Sequence, residues 1–293
     1  MFYRTKIVFM DKIILGYDFT ENTDCALNVA FTLAEKSDCV LELVWVDNSL
    51  DDLIQIAKET IRQRIEEILR TIVSKNSNRL SPERLIYSIV EGKVYEALAE
   101  KANFEEAALL IIGTHNVGGF ETRWTKNNAS RLVEMAKCPV LTVPLDSDDV
   151  IGFKHIVFPV DFTFSTREKA PIIAWLAQGF GSYIYILGLL TSTEDSHVEK
   201  VEEYVWQVSR FFVNNQVEYE TEYRKTKNLA KEILSFAEEK NADMIAVMTK
   251  QEKAVANILF GTYTHQIVMN SKMPVLTMKP LEINTLDQEY SGT

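Results

Sequence analysis

Two aspartates occupy matching places in two similar stretches of the chain. Asp18 lies in DKIILGYDFT and Asp161 in FKHIVFPVDFT, each directly after a short apolar run and before Phe-Thr. A carboxylate at this position could contact a ligand or magnesium. It could equally cap the following helix or stabilise a turn, which is a common use of aspartate before a helix. The sequence leaves both interpretations open for each aspartate.

A glycine-containing loop is the second feature that could bind a ligand. It reads GTHNVGGFETRWTKNNAS over residues 113–130 and leads from an apolar segment into a predicted helix. Backbone N–H groups at the start of that helix would be presented to an anion. His115 lies in the loop and could approach the bound molecule, but a loop histidine without a carboxylate partner is weak support for acid–base chemistry. A surface loop is the simpler interpretation of His115.

Signatures of covalent catalysis and of metal binding are missing from the sequence. There is no GxSxG, no cysteine in a histidine-linked motif and no intact GxxxxGK[ST] loop. Cys25, Cys39 and Cys138 have no paired spacing and are predicted to be buried apolar residues. The histidines outside the loop lack the spacing of metal ligands. We therefore expect no metal site formed by the protein alone, and the residues by themselves support no enzymatic turnover.

The two aspartates belong to a repeat that covers most of the chain. Asp18 and Asp161 are 143 positions apart, whereas Pro139 and Pro274, in KCPVLTVP and KMPVLTMKP, are 135 apart. The first copy thus holds about eight extra residues. A repeat this long is a whole domain, since solenoid units have periods of roughly 20–50 residues. We name residues 10–145 unit one and residues 151–281 unit two, and expect each to be a domain, with an acidic, turn-prone segment between them.

Short apolar runs alternate with longer amphipathic segments in both units. The predicted strands are KIILGYD, VLELVWVD, RLIYSIVEG, ALLIIGT and PVLTVP in unit one, and HIVFPVD, YIYILGLL, VEYETEYR, MIAVMT and PVLTMK in unit two. Apolar residues recur at three and four positions between them, which predicts helices, among them STREKAPIIAWLAQGF over 165–180. Strand–helix alternation with nearly continuous apolar strands indicates a parallel sheet covered on both faces. Each unit is therefore predicted to be a five-stranded, doubly wound α/β domain.

The predicted sheet also says where a ligand would bind. Doubly wound sheets bind ligands outside the carboxyl ends of their strands, near the point where the strand order reverses. This rule selects Asp18 or Asp161 after the first strand, Val46 or Leu189 at the end of the second, and the loop after the fourth.

The charge of the chain excludes several classes of partner. A formal net charge of -11 and a pI near 5.0 argue against a broad electrostatic grip on nucleic acid or on an anionic membrane, because both need a basic face. The first ten residues, MFYRTKIVFM, are too short and too charged for a signal peptide, and no run of about 18 apolar residues occurs. We expect a cytoplasmic protein with no nucleic-acid or membrane partner.

The arrangement resembles the universal stress protein family. The resemblance covers nearly the whole chain, as a tandem of two such domains, and rests on the aspartate after the first strand (YDFT, VDFT) and on CPV or MPV before the last strand. It implies Rossmann-like domains of the adenine nucleotide alpha hydrolase-like type. It also implies that the two units pair through their last strands, so that PVLTVP and PVLTMK lie side by side. A homodimer beyond this internal pairing is left open.

Nucleotide-binding members of that family carry Gly, two residues, Gly, nine residues, then Gly followed by Ser or Thr. The matching positions are Gly113, Asn116, Lys126 and Asn127 in unit one, and Met248, Gln251, Gly261 and Thr262 in unit two. Unit one keeps the first glycine and adds Gly118, but Lys126 replaces the glycine that leaves room for phosphate. This lysine could occlude the phosphate site or supply a cation. Unit two keeps Gly-Thr, yet Met248 puts bulk where the ligand would approach.

The resemblance implies a stress-response protein with a degenerate adenine-nucleotide site. ATP or another adenine nucleotide, with magnesium, would bind weakly, and Val46 or Leu189 would pack against the adenine, although aliphatic residues at strand ends are ordinarily core. The candidate contacts are Asp18, Val46, Gly113, His115, Gly118, Lys126 and Asn127 in unit one, and Asp161, Leu189, Gly261 and Thr262 in unit two. Unit one is the better candidate. The alternatives are a scaffold or interaction protein that binds no nucleotide, and slow ATP hydrolysis as in some members of the family.

Overall fold

Strands and helices alternate along the described parts of the chain in the computed structural model. The structure describes residues 11–48, 55–114, 126–145, 152–249 and 262–280. The strands are β1 (Lys12–Gly16), β2 (Val40–Asp47), β3 (Leu85–Glu91), β4 (Leu109–Thr114), β5 (Val140–Pro144), β6 (His155–Val160), β7 (Tyr183–Leu190), β8 (Glu218–Lys225), β9 (Met244–Met248) and β10 (Val275–Met278). The helices are α1 (Glu21–Ser37), α2 (Gln55–Lys75), α3 (Val94–Phe104), α4 (Lys126–Met135), α5 (Ala170–Phe180), α6 (Asp195–Asn214), α7 (Leu229–Glu239) and α8 (Thr262–Asn270).

The ten strands form one sheet in the order β3-β2-β1-β4-β5-β10-β9-β6-β7-β8. Within each unit the neighbouring strands are parallel, and the second unit repeats the strand order of the first. The predicted doubly wound α/β fold is therefore confirmed. The units join where β5 pairs with β10 in the antiparallel direction. The last strands thus lie side by side, as the resemblance implied.

Threonine side chains reinforce the junction between β5 and β10. Thr142 donates its hydroxyl to the carbonyl of Val275 at 3.2 Å, and Thr277 donates to the carbonyl of Val140 at 3.1 Å. Both threonines are buried. A buried hydroxyl is costly unless it is hydrogen-bonded, so each junction strand satisfies the polar groups that the other brings into the core.

Two apolar layers cover the sheet because successive strand residues point to opposite faces. Ile13 and Leu15 of β1 belong to the layer under α1, α2, α5 and α6. Ile14 between them belongs to the layer under α3, α4, α7 and α8. All three are fully buried, which explains the nearly continuous apolar strands of the sequence. In the described ranges, no helix is both long enough and apolar enough to cross a membrane.

The helix predicted over 165–180 is wrong in its first turn. A short 3-10 turn covers Phe164–Arg167, and α5 begins only at Ala170. Pro171 stands in the first turn of α5, where its fixed φ fits and its missing N–H has no partner to lose. Gly181 ends the helix in the left-handed region with φ 62.

A buried carboxylate organises an ion-pair cluster in unit one. Glu42 on β2 is 3% exposed and contacts the amines of Lys12 at 2.9 Å and Lys101 at 2.8 Å. Glu105 contacts both lysines at 2.6 Å. Burial alone would raise the pKa of Glu105, but the hydrogen bonds and charges of Lys101 and Lys12 outweigh it and lower this pKa to about 2. The cluster holds β1, β2 and α3 together.

Removing the shared charge of this cluster should destabilise the protein. We expect Glu42→Gln to lower the free energy of unfolding by about 2 kcal/mol, because the two partly buried lysines lose one of the two carboxylates that they share and keep Glu105. Urea unfolding at pH 7 measures the loss. Glu91→Gln is the matched control, since Glu91 pairs with Arg62 at the surface and is 75% exposed. Its loss should stay within about 0.5 kcal/mol. Equal losses in the two variants would contradict the importance of the buried cluster.

Candidate functional site

The register of the sheet brings three of the candidate residues of unit one to one edge. Gly16 of β1 lies opposite Val44 of β2 and opposite Ile112 of β4. Asp18 follows the last residue of β1 by two positions, Val46 lies near the end of β2, and Gly113 follows Ile112 directly in β4. β1 lies between β2 and β4, so the strand order reverses at β1. The carboxyl ends of the strands at such a reversal are the usual place of a ligand crevice in a doubly wound sheet.

The carboxylate of Asp18 is held by hydroxyls and a backbone amide of the following turn. Its Oδ1 accepts hydrogen bonds from Thr20 Oγ1 at 2.7 Å, Thr20 N at 3.2 Å and Thr23 Oγ1 at 3.0 Å. Thr20 itself is the N-cap of α1 and accepts from Thr23 N. Asp18 therefore stabilises the turn but does not cap the helix. Within the described residues its bonds all fall on Oδ1, which leaves Oδ2 for a ligand.

The turn that carries Asp18 has an unusual backbone. Phe19 adopts φ 65, in the left-handed region that bulky side chains rarely occupy. Its ring packs edge-on against Tyr17, with ring centroids 5.1 Å apart. Tyr17 donates its hydroxyl to Asp24. The pKa of Tyr17 is raised mainly by burial and further by this hydrogen bond. Such backbone strain persists where packing over-determines it, often beside a binding site.

The aliphatic candidates lie inside the core. Val46 is 4% exposed and Leu189 is 1% exposed, and both belong to the apolar layer under α3, α4, α7 and α8. Gly113 is buried in β4 opposite Val143. The core interpretation of Val46 and Leu189 is therefore the one that the packing supports.

The remaining candidates lie at or beyond the edge of the described chain. Lys126 and Asn127 are the first two residues of α4, and Thr262 is the first residue of α8; the description covers their backbone only. His115, Gly118 and Gly261 lie outside the described residues.

Unit two arranges the corresponding edge differently. Asp161 is only 5% exposed, and its Oδ1 accepts hydrogen bonds from the amide and the hydroxyl of Thr163. The hydroxyl of Thr166 donates to the carbonyl of Pro159. A small cavity lies beside these groups, and Leu189 is one of the residues that line it. Its free space holds about one water molecule.

A lysine that the sequence analysis missed lines this cavity. Lys169 is 2% exposed, and its amine donates to the carbonyl of Pro159 at 2.8 Å and to that of Thr166 at 2.6 Å. The amine also lies 4.0 Å from the ring centroid of Phe158. Burial lowers the pKa of Lys169 to about 7, although the negative charge of Asp161 opposes the change. The available signal was the repeat itself, because Lys169 stands 143 positions after an apolar alanine of α1.

The first helical turn of α8 closes another side of the cavity. The hydroxyls of Tyr263 and Thr264 donate to the carbonyl of Met248 at 3.3 Å and 3.0 Å. The pKa of Tyr263 is raised mainly by burial and further by the negative charge of Asp161. Met248 is the residue of unit two that matches Gly113 in the glycine motif. Bulky side chains thus surround the site of unit two.

Comparison with known proteins agrees with the fold and the repeat. The sequence profile of the universal stress protein family matches the chain twice, over residues 10–144 and 152–279. The chain belongs to the universal stress protein family. A family member from Thermus aquaticus, named for its place in the QAH/OAS sulfhydrylase 3' region, is 25% identical over 133 residues, or 45% of this chain and 96% of the relative.

Solved structures extend the likeness to the whole tandem. A universal stress protein from Archaeoglobus fulgidus matches with a TM-score of 0.71 at 15% identity, covering 94% of this chain and 99% of its own. A protein of unknown function from Pseudomonas aeruginosa matches with a TM-score of 0.62 at 16% identity and covers 94% of each chain. At these identities the likeness concerns the fold. The fold of nearly the whole chain is therefore shared with both of these solved structures.

Proposed function

We propose that this universal stress protein acts in the stress response by binding an adenine nucleotide, with magnesium, through unit one. The observation that carries the proposal is the carboxylate of Asp18 at the carboxyl end of β1. Described residues hold its Oδ1 and leave Oδ2 for a ligand. Asp18 is also more exposed than Asp161, its counterpart in unit two.

The surroundings of Asp18 suit a phosphorylated ligand. α4 begins at Lys126 and is the next described element after β4, so the N–H groups of its first turn are suited to a phosphate at this edge. Magnesium typically binds through one or two carboxylates together with substrate phosphates and water. A carboxylate with one oxygen held by threonine hydroxyls and the other left for a ligand fits this requirement. A magnesium ion here would neutralise part of the phosphate charge, while Asp18 and the start of α4 would position the ligand.

Calorimetry with ATP and magnesium tests the proposal. We expect the wild type to bind one nucleotide per chain and Asp18→Asn to weaken binding at least tenfold, which is about 1.4 kcal/mol. Asparagine keeps an acceptor oxygen for Thr20 and Thr23, so the turn should remain folded. Asp161→Asn is the matched control and should leave the affinity unchanged.

The same titration decides between the alternatives. Loss of binding in Asp161→Asn but not in Asp18→Asn would move the nucleotide to unit two and contradict the assignment. The absence of both a heat signal and a thermal shift at millimolar ATP would overturn the proposal in favour of a scaffold protein that binds no nucleotide.

A further inference from the structure

The two units differ at the carboxyl end of their first strand, where unit two has the side chain of a buried lysine. The repeat places Lys169 at the position of Ala26 in unit one. Ala26 is a fully buried residue of α1, whereas Lys169 directly precedes α5 and sends its amine to the carboxyl end of β6. A small apolar residue in one unit and a long amine in the other therefore occupy the same place in the fold.

The amine of Lys169 satisfies backbone groups that a bound ligand would otherwise meet. It donates to the carbonyls of Pro159 and Thr166, so one nitrogen links the end of β6 to the 3-10 turn that follows. A buried carbonyl without a donor is costly, and the cavity itself has room for about one water molecule. The lysine therefore replaces solvent as the partner of these two carbonyls.

The surroundings of the amine are suited to an alkylamine. The ring of the neighbouring Phe158 lies 4.0 Å from the nitrogen. Leu189 and Ile233 line the cavity and supply apolar surface. Asp161, itself held by Thr163, contributes a negative charge beside the amine. These groups together surround the amine with carbonyl acceptors, an aromatic ring, apolar surface and a carboxylate.

We propose that Lys169 is a built-in ligand: the ligand site of unit two recognises a primary alkylamine, and the chain itself supplies that amine. The site is thereby occupied in every folded molecule. Unit two then needs no diffusible ligand to complete its core, and a nucleotide cannot enter beside the lysine. This inference concerns unit two alone and does not depend on nucleotide binding by unit one.

Chemical rescue of a truncated side chain tests the proposal. Lys169→Ala keeps the β-carbon and removes three carbons and the amine, which together correspond to n-propylamine. We expect tens of millimolar n-propylamine to raise the melting temperature of Lys169→Ala by about 3 °C or more. The effect should be larger at pH 9 than at pH 7, because more of the free amine is neutral and ready to enter a buried site. The same concentration of n-propanol should give a smaller shift.

Three controls separate recognition of the amine from a general solvent effect. The wild type already contains its amine and should not respond. Lys169→Met fills the space without an amine and should not respond either. Ile173→Ala makes a cavity in the adjoining helix α5 at a fully buried apolar position and should not gain from n-propylamine. A rescue confined to Lys169→Ala would support the built-in ligand.

A rescue that is not specific to Lys169→Ala would overturn it. An equal shift in Lys169→Ala and Ile173→Ala would show that n-propylamine fills any apolar hole. If Lys169→Ala does not fold alone, its refolding yield is measured with and without n-propylamine. Recovery that depends on the amine would support the proposal. No recovery and no thermal shift would show that the site does not recognise an amine, whether or not the nucleotide titration of unit one succeeds.

Discussion

Raising the pH from 7 to 9 is expected to increase the free energy of unfolding by about 2 kcal/mol through the titration of Lys169. Burial lowers the pKa of this amine from 10.5 to about 7, against the opposing charges of Asp161 and Glu168. Between these two values the unfolded chain holds more protons than the folded chain, so stability rises with pH. Below pH 7 both states hold the proton, and this dependence levels off.

Other perturbed groups act mainly outside the window from pH 7 to 9. Burial raises the pKa of Glu134 to about 7, so that its effect falls mostly between pH 4.5 and 7 and has the opposite sign. Burial also raises the pKa of Cys138 to about 12 and that of Tyr263 above its ordinary value. The unfolded thiols and phenol lose protons around pH 9 and above, and so does Cys39, whose pKa burial also raises, so these groups lower stability from the upper end of the window onward.

Urea unfolding of the wild type and of Lys169→Met at pH 7, 8 and 9 isolates the contribution of the amine. The difference between the two proteins should change by about 2 kcal/mol across this range in favour of the wild type, since methionine cannot titrate. Methionine has a similar length and keeps the apolar contacts, although it leaves the carbonyls of Pro159 and Thr166 without their donor. A difference that stays constant from pH 7 to 9 would mean that the amine keeps an ordinary pKa.

Periodicity and the internal repeat were sufficient to predict the fold. The sequence pattern predicted all ten strands. A strand covered on both faces must be apolar at nearly every position, whereas β8, at the edge of the sheet, is polar and has no buried residue. Residues at strand ends could also be placed at one edge. Asp18 and Val46, far apart in the sequence, come to the same edge because β1 and β2 are parallel neighbours. The pairing of β5 with β10 followed from the family resemblance, since no local pattern specifies which strands of two units meet.

The details of the candidate site depended on packing and could not be predicted. Lys169 lies in an amphipathic stretch where a lysine ordinarily faces solvent, and its burial depends on a 3-10 turn that displaces the start of α5. The different exposure of Asp18 and Asp161 likewise depends on which side chains surround them. Comparing the two copies position by position points to these places, because a lysine stands opposite the fully buried Ala26.

The junction between the units should show strong energetic coupling between two leucines. Leu141 of β5 and Leu276 of β10 lie directly opposite each other, and each is 1% exposed. Opposed residues of an antiparallel pair share a face, with β-carbons about 5 Å apart, so the side chains pack against each other across the junction. We expect Leu141→Ala and Leu276→Ala each to lower the free energy of unfolding by about 2–5 kcal/mol, because each leaves a cavity in the middle of the sheet.

A double-mutant cycle distinguishes this contact from two independent core losses. The double variant should lose less than the sum of the single losses, with a coupling energy of about 0.5–3 kcal/mol, because the second truncation removes a contact already broken. Leu43 on β2 is the matched control: it is fully buried in the same apolar layer but four strands away from β10, or about 19 Å. Combined with Leu276→Ala, Leu43→Ala should be additive within about 0.5 kcal/mol. Equal coupling in the two cycles would mean that truncation propagates through the whole sheet. No coupling between Leu141 and Leu276 would contradict direct packing of the two units through their last strands.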